Sequence, residues 1–283
     1  MRRALASLML LLAAPLLLGA RLVVVMDGQS RPFLDAASSA EATAGTPAER
    51  FSVSDATLTA RTRSAAADET WLALGPKSAA LLAQVTAPKA RGAALLRTSE
   101  IPAGVAGVSL EVPVERQAVW IKTAFVGRRR VVVVRNPAGG TVDDAALQNA
   151  ARAAGLTLHL ADARTPGEVV PAMEDALRRS SDPAVVWLLP DNTAITADSV
   201  APLITEALAR RIPVVGFSTY FLRVGAVAAV SVDYGACAGQ AVTAAKANQP
   251  GRWAPNQARL VVDAALAARL GVTVQAGPGV ELK

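Results

Sequence analysis

From Leu22 to the end, short apolar runs alternate with stretches whose apolar residues recur every three to four positions. Alternation of strand-length runs with a 3.6-residue period is the mark of βα units, and a chain built from them folds around parallel sheets. Residues 131–134 are four valines in a row, as expected of a strand covered on both faces. The pattern predicts strands at 22–26, 71–74, 93–96, 105–110, 131–134, 156–160, 185–189, 213–216, 227–230 and 260–262. Helices are expected at 33–44, 77–85, from Pro113 to Phe125, 145–154, 168–179, 199–210, 235–246 and 264–270. Residues 45–68 carry the weakest signal, with a strand only at 51–53, and 248–256 reads as a Pro/Gly/Asn-rich connector. Strands 131–134 and 185–189 should be parallel neighbours or near neighbours in one sheet.

The alternation falls into two series. The expected fold class is α/β, with two doubly wound parallel-sheet lobes and a cleft between them. The first lobe is placed at 21–112 with part of the C-terminal segment, the second at 113–232, and 233–283 completes them. Over 283 residues, 52% apolar and 18% charged content suffices for large cores and excludes global disorder.

Residues 1–20 are a different kind of segment. Met1-Arg2-Arg3 precedes an apolar stretch over 4–18, broken only by Ser7, and Gly19-Ala20 supplies a small-residue exit. This is the pattern of a secretory signal peptide; the apolar run is short for an uncleaved membrane anchor. No cysteine follows it, which argues against a lipid anchor, so the mature chain is expected to be periplasmic, soluble and monomeric. Cys237, the one cysteine, reads as a small buried apolar side chain.

Composition narrows the chemistry. One histidine excludes sites needing two, and one cysteine excludes internal disulfides and Cys-rich zinc sites. Removing Arg2 and Arg3 lowers the net charge from +6 to +4, scattered along the sequence, and aromatic residues are 4% of the chain. No nucleic-acid partner is expected. Neither GxGxxG nor GxxxxGK[ST] occurs, so no nucleotide cofactor is implied, and no metal. Gly216-Phe217-Ser218-Thr219-Tyr220 nearly matches a GxSxG nucleophile elbow, but the one available base, His159, lies mid-strand. Asp143-Asp144 reads as a helix start and Arg128-Arg129-Arg130 as a solvated turn.

Ligands of open parallel sheets sit beyond the carboxyl ends of the strands. Those positions carry Asp27, Gln29, Ser30, Gly75, Pro76, Lys77, Thr98 and Ser99 in the first series. In the second they carry Asn136, Asp191, Asn192, Thr193, Ser218, Thr219, Tyr220, Ser231, Asp233 and Tyr234. Such residues are also ordinary helix caps. The candidates for ligand contact are Asp27, Ser30, Gly75, Lys77, Ser99, Asn136, Asp191, Asn192, Thr193, Ser218 and Asp233. Asp191, after an apolar strand, could pair with a ligand ammonium.

Gly107-Val108-Ser109-Leu110, then Arg116-Gln117 in a helix ending Val126-Gly127, then residues 130–137 resemble the passage into the second lobe of a known family. That family is the ABC-transporter substrate-binding proteins of the tryptophan/tyrosine type, with the type I periplasmic-binding fold. Pro190-Asp191-Asn192-Thr193, residues 211–218, Val224-Gly225-Ala226-Val227-Ala228 and Val232-Asp233-Tyr234 resemble its second-lobe core. Residues 260–263 through 268–272 look like its closing strand and helix, so the resemblance covers about 71–274. It implies binding of an amino acid or other small solute, a membrane permease as partner, and no enzymatic chemistry. Carried over by position, Asn136, Asp191, Asn192, Thr193 and Ser218 are its second-lobe pocket residues. The alternatives are a periplasmic serine hydrolase using Ser218, or a degenerate lobe pair acting as a protein-interaction module.

Overall fold

The structure, a computed structural model, describes residues 21–139 and 142–283; the expected signal peptide, 1–20, lies outside the described residues. The chain opens with β1 (Leu22–Met26), α1 (Arg31–Ala44), β2 (Ala48–Ser52), α2 (Leu58–Arg63), β3 (Thr70–Leu74), α3 (Pro76–Leu82), β4 (Ala90–Leu96) and β5 (Ala106–Ser109). Next come α4 (Val114–Ala124), β6 (Arg130–Arg135), α5 (Asp144–Ala153), β7 (Thr157–Asp162), α6 (Val169–Arg178), β8 (Ala184–Trp187), α7 (Ala197–Ala209), β9 (Val214–Gly216), α8 (Tyr220–Arg223) and β10 (Ala228–Val232). The chain ends with α9 (Tyr234–Lys246), β11 (Gly251–Trp253), β12 (Ala258–Val262), α10 (Ala264–Arg269) and β13 (Val280–Leu282).

Two sheets result. The first runs β11-β5-β4-β3-β1-β2, all parallel, and the second β13-β12-β10-β9-β8-β6-β7, parallel except for β10 against β12. β6 and β8 pair directly and in parallel, Val131 opposite Val185, as their all-apolar runs require. Each sheet is covered on both faces. In the first, α1 and α9 pack on one side and α2 and α3 on the other; in the second, α4, α5 and α10 oppose α6 and α7.

The short elements α2, α8, β11 and β13 have no counterpart in the expected pattern, and β2 starts three residues before the expected strand at 51–53. β2 is an edge strand whose outward Glu49 and Arg50 pair with Arg61 and Glu41, so charge masks the apolar alternation. β11, three residues inside the expected connector, joins the edge of the first sheet beside β5. The Arg128–Arg130 stretch also differs from a solvated turn. Only Arg129 is exposed; the Arg130 guanidinium is buried and donates to the Ser180 and Leu177 carbonyls at 2.5 and 3.0 Å, and Arg128 donates to Ala184. Carbonyls at the end of α6 lack helical partners, and a guanidinium supplies the donors.

A buried carboxylate braces the first lobe. Glu69 accepts from the Arg61 guanidinium at 2.7 Å, the Trp71 indole at 3.0 Å and the Ala66 N–H at 3.0 Å. Burial alone would raise its pKa, but these donors hold it down at about 2, against an ordinary 4.5. Because the folded value lies below the unfolded one, the contribution is complete above pH 4.5 and drains away as pH falls towards 2. Acid titrations followed by circular dichroism should therefore show a shallower loss of stability in that window for Glu69→Gln.

Candidate functional site

The chain crosses between lobes three times: after β5 at 110–113, after β10 at Asp233, and after β11 at 254–257. A cleft of about 700 Å³ opens against these crossings. That volume suits a small-molecule site and far exceeds the space a bridging water needs. Its floor is apolar, with Leu110, Val112, Leu189 and Val230, and three aromatic side chains, Phe217, Tyr234 and Trp253, stand around it. Its charges are segregated. Arg97 and Arg252 come from the first lobe, Glu115 and Asp143 from the second, and Glu111 from the first crossing.

Local chemistry positions these groups. Glu111 accepts weakly from the Thr98 N–H at 3.3 Å, which holds its carboxylate beside the end of β4. Gln117, buried at the start of α4, donates to the Val112 carbonyl at 2.7 Å and accepts from the Trp187 indole at 3.1 Å, pinning the first crossing to the second-lobe core. Gln240 of α9 donates to the Ala254 carbonyl and accepts from the Asn256 N–H, both at 3.0 Å, clamping the third. Across the mouth, the Arg97 guanidinium donates to the Asn192 side-chain oxygen at 3.1 Å, joining the lobes directly.

Of the residues proposed from the sequence for ligand contact, Ser218 lines this cleft, and Asn192 meets Arg97 at its edge. Most of the others serve the backbone. The Asp27 carboxylate accepts from the N–H groups of Lys77 and Ser78 at 2.9 and 2.6 Å, capping α3 from a neighbouring strand. Gly75 makes room for it: a Cβ there would lie 2.5 Å from the Asp27 carboxyl carbon, and φ is +108°. Asp191 accepts from Asn136, Thr193 and Ala194 N–H groups, and Asn136 from Ala138. Asp233 caps α9 through the Ala236 N–H and borders a separate open groove of about 640 Å³ that shares Trp253 with the cleft. Ser30 stands before α1 without a side-chain cap bond, Lys77 is exposed in the first turn of α3, and Ser99 and Thr193 are exposed in loops after β4 and β8. Arg97, Glu111 and Phe217 directly follow the expected strands 93–96, 105–110 and 213–216 yet are missing from those candidates, and Arg252 and Trp253 fall in the expected connector. An aromatic residue inside the Pro/Gly/Asn-rich stretch, Trp253, is the one signal that could have found the third crossing.

The hydrolase arrangement does not assemble. Ser218 follows β9 and His159 lies in β7, with β8 and β6 between them. Three strand spacings separate them by roughly 14 Å, beyond any nucleophile–base hydrogen bond. Burial and the nearby Arg130 and Arg179 also depress the His159 pKa. Cys237 is buried, and burial pushes its thiol up to about 12, so it is an inert core side chain. Among the described residues, no three His, Cys, Asp or Glu side chains gather as a metal site would require, and no helix is long and apolar enough to cross a membrane.

Curated proteins include no sequence match to this chain. Solved structures share its architecture at low identity. A ligand-free, open substrate-binding protein with adhesive properties from Clostridium difficile is 14% identical, with a TM-score of 0.66 over 93% of this chain and 99% of that one. A conserved domain protein from Vibrio cholerae is 19% identical, with a TM-score of 0.53 over 91% and 96%. An ABC domain from Streptococcus pneumoniae, in complex with L-Trp, is 16% identical, with a TM-score of 0.51 over 90% and 96%. The two lobes are those of the type I periplasmic-binding fold. The sequence profile described as ABC transporter substrate binding protein matches residues 70–276, from β3 almost to the last strand. The chain belongs to the family of ABC transporter substrate-binding proteins.

Proposed function

We propose that this chain is an exported solute-binding protein of an ABC uptake system, closing its lobes on a small zwitterion with an apolar side chain and offering it to a membrane permease. The segregated charge of the cleft carries this reading. Arg252 would take the carboxylate of an amino acid, Glu111 its ammonium, and Trp253 with Phe217 and Tyr234 the side chain. The L-Trp in one similar structure is in keeping with such a ligand. Asp191, spent on three backbone donors, leaves the ammonium to Glu111 in this assignment. No bond need be made or broken: binding energy shifts an open–closed equilibrium, and the permease reads the closed form.

Native mass spectrometry of protein purified from its own cells tests the ligand. The expected result is a retained adduct with the mass of an amino acid, released on denaturation; a retained sugar or anion, or exchange of neither with added amino acids, overturns the assignment. The same spectra test export. The mature chain is expected to start near Arg21 and lack Arg2 and Arg3, and an intact Met1 on protein from the cytosol would refute it.

A further inference from the structure

The positive charge scattered along the sequence is gathered by the fold at one pole. At the amino ends of the second-lobe strands, opposite the cleft, β6 begins after Arg128 and Arg129, α5 ends at Arg152, α6 at Arg178 and Arg179, and α7 at Arg210 and Arg211. The sheet order β9-β8-β6-β7 makes these ends adjacent, and the Arg128 guanidinium donates to the Arg211 carbonyl at 3.4 Å. Carboxylates among these loops and helix ends are Glu174, Asp175, Asp182 and Glu206 against the seven arginines; Arg130 and Lys122 add positive charge at the same ends, and Asp263, beside the start of β10, adds negative charge. The whole chain from Arg21 carries 27 − 23 = +4.

Ion pairs absorb only part of this. Arg178, Arg179 and Arg210 pair with Glu174, Asp175 and Glu206, whereas Arg129, Arg152 and Arg211 are exposed and have no ion pair among the described residues. Cations at helix carboxyl ends complement the helix dipole, which accounts for Arg152. It accounts also for Arg211, whose N–H bonds the Leu208 carbonyl just past α7, but not for Arg129, which lies in the loop before β6.

We propose that this pole docks on an anionic lipid bilayer. A surface of adjacent guanidinium groups matches the phosphates of such a membrane, and the transporter such a protein serves is itself embedded in one. These loops and helix ends carry no aromatic residue on which a nucleic-acid base could stack. Held by this pole, the chain keeps its cleft, at the opposite ends of the same strands, turned from the bilayer and open to ligand, and handing the ligand to the permease requires release from this contact.

Sedimentation with vesicles of phosphatidylcholine, with and without phosphatidylglycerol, tests the proposal at low and physiological salt. The full chain should bind only the anionic vesicles, and salt should weaken it. The triple variant Arg129→Gln, Arg152→Gln, Arg211→Gln should lose about 100-fold in partitioning. Arg63→Gln, Lys77→Gln, Lys89→Gln, which removes equal charge from the first lobe, should bind within about threefold of wild type. Should the pole triple fail to fold by circular dichroism, Arg129→Gln alone carries the test, with a loss of about fivefold. Equal binding to neutral vesicles, equal losses from both triples, no loss from the pole variant, or stronger binding to soluble inorganic polyphosphate than to the anionic vesicles overturns it. No cleft ligand is involved, so the outcome is independent of the solute-binding reading.

Discussion

Asp191→Asn should lower the unfolding free energy by about 2–4 kcal/mol, a fall of roughly 5–15 °C in Tm. The side chain is 4% exposed, and its two oxygens accept three backbone N–H groups: Asn136 at 2.7 Å on one, Thr193 and Ala194 at 2.8 Å on the other. Asparagine caps an ordinary helix about as well as aspartate, because one acceptor oxygen is enough there. Here two are needed. Either orientation of the amide turns an NH₂ group against at least one backbone donor and removes the charge that shortens all three bonds. Thermal melts with and without ligand make the check. A variant that melts like wild type but no longer binds solute would instead make Asp191 a ligand group.

The second large effect concerns affinity. Glu111→Gln should weaken binding of the retained amino acid by about 2–5 kcal/mol, some 30- to 5,000-fold, because closure leaves the ligand ammonium desolvated without its carboxylate. Arg252→Gln should cost the carboxylate end a similar amount. Melting temperatures of both ligand-free variants should stay near wild type, since Glu111 has only a 3.3 Å backbone bond to lose. Calorimetry showing wild-type affinity in both would remove these residues from the site.

The lobes were legible because their buried strands are short, apolar and separated by amphipathic helices; β1, β3, β6 and β8 are each read from composition alone. β2 was legible only at its end, within the expected strand 51–53, because edge charges break the pattern before it, and β11 was not legible because three residues carry no period. The site was less legible for a related reason. Strand ends point at Thr98, Ser218, Thr219 and Tyr234, which do line the cleft. They point equally at Asp27, Asp191 and Asp233, whose carboxylates go to backbone N–H groups. A carboxylate that binds ligand and one that caps a loop are the same residue type in the same place; only the positions of the donors distinguish them. Arg252 sits in the connector, where sequence has no periodicity to interpret, and Glu111 directly follows the expected strand 105–110 yet is not among the strand-end candidates.

The crossings also bear on when the molecule can fold. The first lobe is not finished by the residues that begin it: α9 packs beneath β4 and against α1, and β11 completes the sheet beyond β5. Lys246 reaches the Ala44 carbonyl across a separation of 202 residues, and Gly239 lets Thr43 approach where a Cβ would lie 2.6 Å from its hydroxyl. Contacts so distant in sequence form late, because the intervening loop must close first. A nascent chain therefore synthesises its entire second lobe before the first can seal its core. Should the chain be exported as proposed, and so threaded unfolded through a translocation pore, that delay is an asset: the N-terminal half stays slack until α9 and β11 arrive to lock it.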